Sequence, residues 1–432
     1  MKRVAIMGLA CACGPQVPLG DGESSDGGGT SSSASTSSSS TTTIADTSSE
    51  AGDEDTPKTD VYLPPPTSGD LDVLFVVDNS AGMADIQLWL GQAMPSFVAS
   101  LSATPRSVQV MVTTTDVGNP LCTRFQKPDY TPARGAPIAT GCNERINRFT
   151  GLDPNDPEVR EDVCSSLCPV DVEPSDPFVA FDTATGEANA ESAEAALACL
   201  IPQGVDGCGY EAPLEAMWLA LDPNAEWNVG ARPFLRDGAD LAVVIVSNES
   251  DCSMEDLAAM TDEQWWNVNP HSGSAQPSSA LCWNAGVECT GPDAEGVYDE
   301  CWPREGPMFA VSRYRDRLDE QAATGKRVFM VALTGLPIDG GPLVYRQWRD
   351  DDLSSEEVMS GVEVEDLTWE LGIGPACSFE GDDGEPARAL PSPRVLDTCG
   401  GLDGIGAQRC CVGSVCAQPD AALSCLVEIA AP

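Results

Sequence analysis

Apolar positions along the chain fall into blocks with two periods. Residues 71–77, Leu-Asp-Val-Leu-Phe-Val-Val, form a nearly continuous apolar run that ends at Asp78. Comparable runs occupy 108–116, 241–246 and 328–333. Short, Val-rich runs bounded by turn residues predict strands buried on both faces, as in a parallel sheet. After the first run, Ile86, Leu90, Met94, Phe97 and Leu101 are spaced by three or four, which predicts an amphipathic helix over 84–101. Pro95 should kink or divide it. Helical patterns also cover 188–200, 309–323 and 419–429. Alternation of strand and helix predicts an α/β fold, a doubly wound and mainly parallel sheet flanked by helices.

Three stretches interrupt this pattern, at about 119–186, 254–308 and 335–413. They are loop-rich and carry much of the cysteine, so they are expected to be disulfide-rich insertions. The second holds Trp265, Trp266, Trp283 and Trp302. Such tryptophans either form a binding surface or supply a small lobe with its core, and the core reading is favoured. His271 sits in Asn-Pro-His-Ser-Gly, a loop by composition, and should be exposed. The acidic segment Leu152–Pro157 lacks the residue order of a calcium loop and reads as a turn.

The chain has eighteen cysteines and one histidine. Cys11 and Cys13 lie near the start, and the other sixteen suit a disulfide framework made in an oxidising compartment. Zinc is the alternative, but there is no Cys-x-x-Cys pair. Residues 1–13 combine Lys2 and Arg3, a short apolar run and small residues before cysteine. This is the outline of an export signal, and the cysteines are similar to the lipidated position of a bacterial lipoprotein. Residues 14–69 are mostly Ser, Thr, Gly and acidic residues, too polar to offset the entropy of ordering, and read as a disordered tether. Residues 70–432 then form the folded part, exported to the cell envelope or secreted, with membrane contact through an N-terminal lipid anchor.

The formal charge is −45. Nucleic acid and anionic lipid would be repelled, while cations and basic proteins are favoured guests. The plainer reading is that the acidity keeps an exported protein soluble.

Candidate chemistry begins where the first strand ends. Asp78 and Ser80 are two apart, so an extended turn aims both oxygens at one point, which suits a hard cation. This stretch, Asp78-Asn-Ser80-Ala-Gly82, resembles the first metal-binding loop of the von Willebrand factor A (VWA) family, Asp-x-Ser-x-Ser. Gly82 stands where that motif has its second serine. Gly207-Cys-Gly-Tyr-Glu211 and Ser247-Asn248-Glu249-Ser250-Asp251-Cys252-Ser253 are similar to signatures of a Cys-rich, lipoprotein-like bacterial subgroup of that family. The resemblance covers about residues 70–432. It implies a VWA or Rossmann-like fold and a divalent cation, Mg²⁺ or Ca²⁺, held by side-chain oxygens with a place left for an acidic residue of a partner.

Residue by residue, the implied site is degenerate. No threonine accompanies the second loop, and Glu211 is the nearest oxygen, although it would also suit the first turn of the following helix. Asn248 replaces the aspartate of the third loop, with Glu249 beside it. Thr113 to Asp116 end the second strand and either face this turn or simply close the strand. The candidate metal residues are therefore Asp78, Ser80, Gly82, Glu211, Asn248 and Glu249. The resemblance implies a binding or adhesion protein with a protein or glycan ligand at the cell surface. The alternatives are an envelope scaffold without metal and a metal-dependent hydrolase. No nucleophile motif surrounds His271, and there is no phosphate loop or His-Glu-x-x-His, so no enzyme is expected.

Overall fold

The structure is a computed structural model that describes residues 69–122, 126–152, 159–168, 177–183, 190–381, 386–403 and 408–432. The leader, the tether and most of the acidic segment 152–157 lie outside the described residues.

Six strands form one sheet: β1 (Leu71–Val77), β2 (Ser107–Thr114), β3 (Val179–Asp182), β4 (Asp240–Val246), β5 (Val328–Thr334) and β6 (Cys410–Ser414). Their spatial order is β6-β5-β4-β1-β2-β3. All neighbours are parallel except β2 and β3. The order reverses between β1 and β4, and the carboxyl ends of the strands at such a reversal are where open α/β sheets bind ligands.

Each of the four predicted runs became a strand, and β1, β4 and β5 are buried along their whole length. Successive side chains of a strand face opposite ways. Val73, Phe75 and Val77 pack with α1 (Ala84–Leu101), α2 (Ala190–Leu200) and α6 (Asp420–Ile429) on one face of the sheet. Leu74 and Val76 pack with α3 (Pro213–Ala220), α4 (Val311–Ala323) and α5 (Pro393–Gly400) on the other. Helices on both faces explain why these strands read as continuous apolar runs rather than alternating ones.

Three expectations are corrected. Pro95 does not divide α1, which runs unbroken from Ala84 to Leu101. Pro95 lies on its exposed side, while Met94, Phe97 and Val98 hold the helix to the sheet. The insertion expected at 119–186 contains β3, an antiparallel edge strand. The one expected at 335–413 contains α5 and β6, both parts of the main layers. Their short length hid them: β3 has four residues and β6 five, of which Val412, Gly413 and Ser414 are not buried.

The sixteen cysteines beyond the leader form eight disulfides. Only Cys142–Cys164 closes within the first insertion; Cys122–Cys208 and Cys168–Cys199 tie that insertion to residues beyond it. The adjacent pair Cys410 and Cys411 works through strand alternation. Cys410 bonds Cys399 of α5 on one face, and Cys411 bonds Cys425 of α6 on the other. Trp265 and Trp266 pack against a cluster containing Cys252, Met260 and Cys282, and Trp283 lies in a second cluster with Trp348. The tryptophans therefore mainly supply local cores, with Trp302 38% exposed. His271 is exposed and 2.9 Å from Asp366.

Asp251, past the end of β4, meets Arg394 of α5 at 2.8 Å, and both side chains are buried. Arg394 also donates to the Phe309 carbonyl, 2.7 Å away. One guanidinium thus joins the loop after β4 to the approach to α4 and to α5. Asp251→Ala would leave that charge buried without its partner, and such losses cost about 3–5 kcal/mol. Urea unfolding of the variant with disulfides intact should show a fall of that size; a change below about 1 kcal/mol would mean that water replaces the carboxylate there.

Candidate functional site

The candidate residues come together at the carboxyl ends of β1 and β4. Asp78 continues β1, its amide donating to the Val246 carbonyl at 2.9 Å. Its Oδ1 accepts from the Ser80 amide at 2.8 Å and from Ser80 Oγ at 2.7 Å, and its Oδ2 accepts from Ser247 Oγ at 2.6 Å. The tight Asp-x-Ser turn is thus closed by its own side chains, and Ser247 ties it to the loop after β4. Asp78, Ser80 and Ser247 are all buried.

Glu211 lies before α3, which begins at Pro213. It does not cap that helix. The amides of Leu214 and Glu215 donate instead to Asp251 Oδ1 at 3.2 Å and to Ser253 Oγ at 3.0 Å. The Glu211 side chain is fully buried, and its Oε2 accepts a hydrogen bond from Thr115 Oγ1. Thr115 therefore faces the site, and the Thr-Thr-Asp end of the second strand was its only signal in the sequence. Asp116 beside it accepts from Tyr130 Oη at 2.8 Å, and Tyr130 Oη accepts from Asn79 Nδ2 at 2.9 Å. Asn79 lies inside the Asp78–Gly82 turn, whereas nothing in the sequence around Tyr130 marked it as part of this cluster.

Gly82 contributes no ligand. Its φ is +89°, a conformation that side chains rarely adopt. A Cβ there would lie 3.4 Å from Asn248 Nδ2. Glycine suits this left-handed turn position, and a serine there would be strained by backbone shape. Asn248 gives its Nδ2 to the Arg388 carbonyl at 3.3 Å.

The electrostatics are one-sided. Burial pushes the Glu211 carboxyl well above the usual range, and the charges of Asp78, Glu249 and Asp116 add to this. Burial does the same to Glu249, with Asp78 and Glu370 adding. Asp78 is raised by burial, against the hydrogen bonds from Ser247, Ser80 and Asn248. Glu370, half-buried, is pushed up to about 8 by burial and by Asp366 and Glu357. Among the described residues no Lys or Arg pairs with Asp78, Glu211 or Glu249. The amino end of the sheet is different: Arg236 and Lys326 pair with Asp72, and Arg327 with Asp240.

Four oxygens around the turn are buried without a hydrogen-bond partner: Asn79 Oδ1, Glu211 Oε1, Asn248 Oδ1 and Glu249 Oε1. Among the described residues no three His, Cys, Asp or Glu side chains are gathered closely enough to hold a metal ion by themselves. A cation would fit only a mixed set of carboxylate, amide and hydroxyl oxygens, the kind of donors Ca²⁺ and Mg²⁺ accept. No protein-family model matches the chain, and no curated protein matches it.

Two predictions follow from this geometry. Gly82→Ser forces a side chain into a left-handed position, a strain of about 1–3 kcal/mol. It should lower the urea midpoint; an unchanged midpoint would show that the turn tolerates a serine there. The second concerns pH. Glu211 and Glu249 take protons more readily in the fold than in the unfolded chain, where the ordinary value is 4.5. Their protonated forms favour the folded state, so this contribution is complete below about pH 4.5 and is lost as pH rises through the raised values. Chelated protein should therefore lose stability relative to Glu211→Gln as pH rises from about 4.5, the unfolded value, toward the raised folded values. Parallel stability curves for the two proteins would show that Glu211 titrates normally.

Proposed function

We propose that this chain is an exported binding protein built on a VWA-like, doubly wound domain, with a divalent cation held at the carboxyl end of its sheet. The observation that carries this reading is the set of four unpartnered buried oxygens, drawn from three loops, beside Asp78, Glu211 and Glu249, with which no Lys or Arg pairs among the described residues. Strand order supports the fold assignment, because a reversal between β1 and β4 is where sheets of this kind bind ligands. Eight disulfides support an oxidising location. Among the described residues no helix is long and apolar enough to cross a membrane, which fits attachment through a lipidated leader.

In this reading Asp78, Glu211 and Glu249 supply the negative charge, and Asn248, Asn79 and Ser80 supply neutral oxygens. The ion would replace the protons that the isolated cluster otherwise needs. The partner, a protein or glycan of the cell surface, would meet the insertions that surround this end of the sheet.

Calorimetric titration of Mg²⁺, Ca²⁺ and Mn²⁺ into chelated protein tests the cation. One site of defined stoichiometry is expected, absent in Asp78→Ala. If neither protein binds an ion while both remain folded, the cation is wrong and the chain is a metal-free scaffold.

A further inference from the structure

The eight disulfides are not equally protected. In seven of them at least one cysteine is buried, whereas Cys289 and Cys301 are both only half-buried. Their place in the fold also sets them apart. They are directly opposed residues of a two-stranded antiparallel hairpin, Val287–Thr290 with Glu300–Pro303, which is separate from the six-stranded sheet. The bond therefore fastens the hairpin to itself and ties no layer of the main fold to another.

Opposed residues of a hairpin share a face, and their neighbours take the other. Cys289 and Cys301 pack only at the edge of the cluster built on Trp283, Trp348 and Leu367. Glu288, Glu300 and Trp302 turn the other way and are exposed, as is Asp299. Arg304 is the only Lys or Arg between residues 287 and 305, and it lies 3.9 Å from Glu288. The approach to the disulfide is thus flanked by carboxylates. The hairpin has other anchors besides its disulfide. The Tyr298 amide donates to the Tyr345 carbonyl at 2.9 Å, and the Gln347 amide donates to the Gly296 carbonyl at 2.8 Å.

We propose that Cys289–Cys301 is a thiol-exchange site, open to small thiols in the folded protein and selective for those without negative charge. The thiolate of the incoming compound attacks one sulfur of the pair. A new sulfur–sulfur bond forms to that cysteine, the old bond breaks, and the other cysteine leaves as a thiolate that takes a proton from water. A second thiol attacks the mixed disulfide and leaves with the first as their oxidised dimer. Two protein thiols remain, so the pair has gained two electrons and two protons and two external thiols have been oxidised. Attack needs access to a sulfur, which the other seven bonds restrict by burial. The carboxylates around the hairpin repel an anionic thiol and attract a cationic one. The remaining anchors keep the hairpin in place while its cross-link is open. The site is independent of any cation at the end of the sheet.

Differential alkylation of the full chain tests this. Free thiols are first blocked with N-ethylmaleimide. The folded protein is then exposed to cysteamine, 2-mercaptoethanol or glutathione, and newly freed thiols are trapped with an isotopically distinct maleimide and located by peptide mass spectrometry. Cys289 and Cys301 should be labelled roughly tenfold or more faster than any other pair, while near-ultraviolet circular dichroism shows the fold intact. At equal thiolate concentration and low salt, cationic cysteamine should outrun anionic glutathione by roughly tenfold. The gap should narrow in about 1 M salt, where charges are screened within about 3 Å, and in Glu300→Gln at low salt. Earlier labelling of another pair, or labelling of Cys289 and Cys301 only as the fold is lost, would overturn the site. Equal rates for the three thiols at low salt would overturn the charge selection and leave the site standing.

Discussion

A carboxylate taken out of water needs a counter-charge, hydrogen-bond donors or a proton, and β1 carries one near each end. At the amino end Asp72 is met by Arg236 at 2.6 Å and Lys326 at 3.6 Å. At the carboxyl end Asp78 has only neutral donors, and two further acids, Glu211 and Glu249, are buried close enough to raise their own proton affinity. The central strand is thus balanced where it begins and left in deficit where it ends. Neutral donors meet Asp78 there, and Glu211 and Glu249 hold protons more readily than in water; the loops that bring these acids together define the candidate site.

The insertions help to bury these acids. A sheet with helices on both faces would leave its carboxyl edge open to solvent. Here Cys122–Cys208 ties the first insertion to the Glu211 loop, Cys252–Cys282 ties the second to the loop after β4, and Cys377–Cys416 anchors the antiparallel hairpin of Cys377–Glu380 and Pro386–Ala389, whose end lies against Asn248. The disulfides therefore do more than stabilise loops against unfolding: they hold these segments beside the buried acids. Arg394 adds an ionic tie of the same kind beneath the third loop.

Part of the site was legible before any coordinates. The Asp78–Ser80 turn showed in the abrupt end of an apolar run, and Glu249 showed as the carboxylate beside Asn248 just after the run that became β4. Two readings changed on folding. Gly82 looked like a missing ligand and is a left-handed turn residue; Glu211 looked equally like a helix-terminal acid, but that helix takes its cap from Asp251 and Ser253. Thr115, Asn79 and Ser247 lay in stretches already singled out, but the contact that brings Ser247 to Asp78, 169 positions away, and those that bring in Tyr130 are not written in local sequence.

The sequence by itself determined the layered architecture, because burial on both faces demands continuous apolar strands and helices demand their own period. It also determined that the cysteines would pair, since their number and setting leave little else. Only the tertiary structure decided which cysteines pair, that β3 and β6 complete the sheet, and that the carboxyl edge is closed. Those outcomes depend on which loops lie over one another, and that is set by packing between segments far apart in the chain.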